Sequence, residues 1–81
     1  MNLIDLKELI KILKISRSAI YLNIKRGVWP KAIKISSRAN RWFLHEVEEM
    51  VHLMAAGANE EQIRKKVQKI HEVRKIGPQS S

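Results

Sequence analysis

The chain has 81 residues, 16 Lys and Arg against 8 Asp and Glu, a formal net charge of +8, 44% hydrophobic residues and no cysteine. That length suits one compact domain and leaves no room for a separate catalytic domain or a deep substrate cavity, because a chain this short buries only about 60% of its unfolded surface. The missing cysteines exclude disulfide frameworks, Cys-ligated zinc and Cys nucleophiles, and they suit a reducing compartment. No apolar run approaches the roughly 18 residues of a membrane span. Met1 to Asp5 holds an acid and helical periodicity where a signal peptide would carry basic and then apolar residues, so a cytoplasmic location is expected.

Asp5-Leu6-Lys7-Glu8 has the capping-box arrangement and predicts a helix from Leu6, with Leu6, Leu9, Ile10 and Leu13 on its core face. After the short link Lys14-Ile15, Ser16 is the N-cap of a second helix running to about Arg26, stopped by Gly27 and Pro30. Two short helices so closely joined, the second basic and polar outward, form the helix-turn-helix pattern. On the second, Ile20 and Ile24 face the first helix, while Arg17, Ser18, Tyr21, Leu22 and Lys25 share the opposite surface, the expected reading head.

Ala32 to Ser36 alternates with period two, and Arg41 to Leu44 follows across the polar turn Ser37-Arg38-Ala39-Asn40, which predicts a β-hairpin. Ile33, Ile35, Trp42 and Leu44 are expected to face inward, with Lys34, Arg38 and Arg41 on the outer side or tip as a basic wing. A third helix is expected from about His45 to Ala56, with Val47, Met50, Val51 and Met54 at core spacing. Asn59 and Gln62 cap a fourth, whose stripe is Ile63, Val67, Ile70 and Val73 or Arg74. The expected architecture is mainly α with a small β-hairpin: a winged helix-turn-helix over residues 1–57, an amphipathic C-terminal helix over 58–76, and a disordered tail over 77–81.

The charge is unevenly spread. Met1 to Leu44 holds ten basic residues and two acids, whereas His45 to Ser81 holds six of each. No acid occurs between Lys14 and Arg41, and a surface without a partner normally mixes both signs. The basic half therefore reads as a footprint for a polyanion. Arg17 can hold guanine bidentately, the hydroxyls of Ser16, Ser18 and Tyr21 can donate to phosphate, Lys34, Arg38 and Arg41 can grip phosphates or enter the minor groove, and Arg26 is a further DNA-binding candidate. Trp29 and Trp42 read as core residues rather than stacking platforms. His45, His52 and His71 lack the spacing of a metal site, no cofactor is implied, and no serine has a neighbouring base, so no enzyme is expected.

Ile15-Ser16-Arg17-Ser18-Ala19-Ile20-Tyr21, then Lys25-Arg26-Gly27, Pro30, Arg41-Trp42 and Glu46-Val47-Glu48 resemble the AlpA family of prophage regulatory proteins, over roughly Leu3 to Met54. The resemblance implies a MerR-like winged helix-turn-helix that binds specific sites on double-stranded DNA. It also implies work as an excisionase, a recombination directionality factor, or as a transcription regulator, with a tyrosine integrase or RNA polymerase as partner and a nucleoid association. The recognition helix maps to Ser16 through Arg26 and the wing to Lys34 through Arg41. This chain departs from the family at Leu22, often basic in relatives, at Asn23, often apolar, at a wing tip without glycine, and at a third helix without a Ser or Asp cap. The residues leave two alternatives open: a protein-interaction module that docks through the C-terminal helix, which could also form a homodimer, and an RNA binder, for which no aromatic sheet motif or GxxG loop is present.

Overall fold

The computed structural model describes residues 2–76, so the tail expected over 77–81 lies outside the described residues. The order of elements is β1 (Leu3–Ile4), α1 (Leu6–Leu13), α2 (Arg17–Lys25), β2 (Ile33–Ser36), β3 (Ala39–Phe43), α3 (Leu44–Ala55) and α4 (Glu60–Ile76). It is a mainly helical winged helix-turn-helix arrangement with one small antiparallel sheet, ordered β1-β3-β2.

The helix starts follow local chemistry. Glu8 N–H donates to Asp5 Oδ1 (2.8 Å) and Asp5 N–H donates to Glu8 Oε1 (3.1 Å), which closes the capping box of α1. Lys14 ends α1 in the left-handed region at φ 58° and turns the chain toward α2. Ala19 N–H donates to Ser16 Oγ (3.1 Å) at the start of α2. Gly27 takes φ +78° after α2, a conformation that glycine reaches without the Cβ penalty. Asn59 and Gln62 cap α4 reciprocally, both at 2.8 Å. The first turn of α3 has no side-chain cap, and Leu44 N–H donates instead to the Asn2 carbonyl (2.8 Å).

One core joins every layer: Ile4, Leu9, Ile20, Trp29, Trp42, Val47, Met50, Val67 and Ile70. Val67 and Ile70 come from α4, and burying each contributes about 1.5–3 kcal/mol. Trp42 Nε1–H donates to the Pro30 carbonyl (3.0 Å) within this core and ties the base of the wing to the segment after α2.

Four details depart from the sequence expectation. The two-residue β1, too short to carry a periodic signal, pairs Leu3 with Phe43 and Ile4 with Trp42. The hairpin turn is only Ser37-Arg38, Ala39 and Asn40 belong to β3, and Leu44 opens α3 instead of extending the strand, though it does pack on the core. Ile33 and Ile35 do not face inward. Ile33 lies opposite Arg41, hence on the other side of the sheet from Trp42, and an irregularity between Lys34 and Ser36 leaves Ile35 56% exposed. Val51 and Met54, at helical core spacing on α3, are each 39% exposed. Of the two residues expected to end the α4 stripe, Arg74 turns inward and Val73 is exposed.

Arg74 meets Glu46, which is 5% exposed, by a forked contact: Nε donates at 3.1 and 3.3 Å and a terminal nitrogen at 2.7 Å. Its other terminal nitrogen donates to the Lys31 carbonyl (2.8 Å). The neighbouring His71 Nε2 accepts the Lys31 N–H (3.2 Å). Burial, and then the positive charges of Arg74 and Lys31, hold the His71 imidazole below its ordinary pKa, with Glu46 opposing them. The neutral ring this favours is the form able to accept that bond.

Candidate nucleic-acid interface

At about 100° per residue, the buried Ile20 together with the half-buried Ala19, Asn23 and Ile24 fix which side of α2 faces outward. Ser18 and Lys25 lie near the middle of the outward face, Leu22 flanks them on one side at 56% exposure, and Arg17 and Tyr21 flank them on the other. All five are exposed, as the reading-head expectation requires. Leu22 thus presents an apolar side chain to solvent on this otherwise polar face.

The wing is set against the Arg17–Tyr21 flank. Asn40 Nδ2 approaches the Tyr21 hydroxyl at 3.4 Å, and Arg41 donates to the Asn40 carbonyl at 2.9 Å. Between these walls runs an open cleft of about 420 Å³. Arg17 and Tyr21 line it from α2, and Arg38, Asn40 and Arg41 from the wing. Asp5, Leu6 and Lys7 close it from the start of α1. Four cations thus share one concavity with a single carboxylate, and Asp5 already accepts the Glu8 N–H as a helix cap.

Sequence reading named Arg17, Tyr21, Arg38 and Arg41 but not their convergence. It missed Lys7 and Asn40 as cleft residues. Lys7 had a usable signal in its outward place on the first turn of α1, whereas Asn40 had none, because it was expected in the turn. Its Oδ1 is buried without a hydrogen-bond partner among the described residues.

The other candidates lie apart. Lys34 is exposed opposite Asn40 and shares its face, toward the outer end of the wing. The Ser16 hydroxyl caps α2 through its oxygen and keeps its own proton to donate. Arg26 is drawn to α4: it donates to Glu60 at 2.6 Å, Arg64 reaches the same carboxylate at 2.7 Å, and Arg64 Nε donates to the Arg26 carbonyl at 3.1 Å. Among the described residues no group of three or more His, Asp or Glu is placed to hold a metal ion, and no helix is long and apolar enough to cross a membrane.

The family model described as Prophage CP4-57 regulatory protein (AlpA) matches residues 2–53, which run from the start of β1 to near the end of α3. No curated protein and no solved structure gives a match.

Proposed function

The chain belongs to the AlpA family of prophage regulatory proteins, and from that premise we propose that it is a non-enzymatic, site-specific binder of double-stranded DNA. It acts as an excisionase, as a transcription regulator, or as both. The observation that carries this reading is the cleft in which α2 and the wing present Arg17, Arg38 and Arg41 on one side of the molecule. In this docking the outward face of α2 enters the major groove, with Ser18, Leu22 and Lys25 foremost, while Lys34, Arg38 and Arg41 hold the flanking backbone. Ser16 adds a hydroxyl to phosphate, and Arg26, at the far end of α2, adds its charge only where phosphate displaces Glu60 from it.

Residues 1–57 carry the DNA contacts and α4 supports them. The rival reading, a module that docks a partner through α4, has little surface left, because Val67 and Ile70 are buried in the chain's own core. A homodimer through α4 would have to use its exposed Val73 and Ile76. An integrase or RNA polymerase is the partner class these roles require, and the working place is the nucleoid. Gel shifts of the full chain with duplex DNA, RNA and unlabelled competitors test the proposal. A shift of duplex that a selected sequence competes better than random DNA is expected, and equal binding of RNA and duplex contradicts it.

A further inference from the structure

From the cleft between α1, α2 and the wing we infer a seat for a single backbone phosphodiester, held by Lys7, Arg17 and Arg41, in which Arg17 serves as a clamp and not as a base reader. The inference deepens the DNA-binding reading and rests on it. A helix in the major groove and a wing on the flanking minor groove have one sugar-phosphate strand between them. Whatever lines the space between helix and wing therefore meets that strand, not base edges.

Three observations place the seat there. Arg17 and Tyr21 occupy the flank of α2 that leans toward the wing, away from the outward centre at Ser18 and Lys25. The cleft gathers cations from three separate elements, Lys7 of α1, Arg17 of α2 and Arg41 of β3. None of these three forms an ion pair among the described residues, so their charge is not spent within the fold. Asn40, with its amide against the Tyr21 hydroxyl and its carbonyl held by Arg41, ties the two walls together and acts as a positioning residue. The specificity of the protein then falls to Ser18, Leu22 and Lys25.

The test uses the full chain and the duplex it selects from a random-sequence pool. Methylphosphonates are placed at each backbone position in turn, so that one negative charge at a time is removed. One position should weaken wild-type binding most, and Lys7→Gln and Arg17→Gln should each lose sensitivity to that same position. Both variants should weaken selected and scrambled duplexes alike, each flattening the dependence of log K on log salt by up to about 0.9. Arg17→Lys should recover most of the affinity. Circular dichroism checks that each variant is folded, which is expected because both side chains are exposed. If Arg17→Gln keeps its affinity for the scrambled duplex and loses only preference, Arg17 reads a base and the seat is wrong. If no methylphosphonate position couples to either residue although the wild type binds, the seat is also wrong. A wild type that binds no duplex overturns the DNA-binding reading itself.

Discussion

The surface around α2 and the wing and the seam beneath α4 are both rich in arginine and lysine, and they use it in opposite ways. Arg17, Lys25, Lys34, Arg38 and Arg41 reach solvent or the cleft and meet no carboxylate among the described residues. Along α4, Arg64 pairs with Glu60, Lys65 with Glu61, Lys66 with Glu49 and Arg74 with Glu46. Only the last pair is withdrawn from water, with side chains 15% and 7% exposed. The exposed pairs are each worth little, about 0–1 kcal/mol. The difference teaches that the same residue types keep an unspent charge where acids are absent and are drawn into the fold where an acid stands within reach. Changes under α4 should therefore alter stability, and changes around the cleft should alter DNA affinity.

The strongest way to break that division is to remove residues 59–81. The deletion takes Val67 and Ile70 out of the core and strands Glu46, so the shortened chain should lose its cooperative thermal transition, and its DNA binding with it. A fragment that still melts cooperatively and binds would show that α4 is an accessory. Next in size is Arg74→Ala, which leaves a buried carboxylate without its partner and should cost about 3–5 kcal/mol in urea denaturation. The fraction still folded should bind DNA with an unchanged salt slope.

On the other side of the comparison, Lys25→Ala should leave the melting temperature within a degree or two of wild type, because the side chain is exposed. It should narrow the gap between selected and random duplexes by about 1–3 kcal/mol, the size of one good base contact. Arg38→Ala should do the reverse, weakening both duplexes alike and reducing the salt slope by about 0.9. Titrations at several salt concentrations separate the two. Leu22→Arg belongs with Lys25 and should shift base preference more than stability.

The smallest effect expected is a pH dependence seated at His71. Its pKa is lowered from 6.5 in the folded chain, so on acidification the unfolded chain takes up this proton first. The contribution of the neutral ring is complete above pH 6.5, declines as pH falls below that value, and is gone once pH passes the lower folded pKa. His71→Gln should flatten this part of a stability profile measured between pH 7.5 and about 5, a window set by the unperturbed histidine pKa. A profile unchanged by the substitution would place the dependence elsewhere.

What the sequence made legible was local. Asp5 with Glu8, Ser16, and Asn59 with Gln62 announce helix starts because both members of each cap lie within one turn. β1 was hidden because its meaning lies in Phe43 and Trp42, far along the chain. The inward assignment of Ile33 and Ile35 failed for a related reason: a period of two shows that two faces exist, and only the pairing with β3 decides which face is covered. Val51 and Met54 keep the helical period but lie at the margin of the core, each 39% exposed, where no described element closes over them fully. At the site, the residue types on α2 and the wing were readable one by one. The cleft was not, since it depends on three elements meeting.

The pairing of β1 with β3 has a consequence for the order in which the chain can be built. Leu3 and Ile4 find their partners only at Phe43 and Trp42, so α1 and α2 lie inside a loop that closes late, and its closure entropy must be met before those contacts form. During synthesis from the N-terminus, the helix-turn-helix emerges first but has nothing to hold it until β3 has left the ribosome. Its underside stays uncovered until Val67 and Ile70 follow. Removing residues 59–81 should therefore trap the chain in the state that synthesis passes through last, with the buried faces of Ile20 and Trp42 lacking Val67 and Ile70.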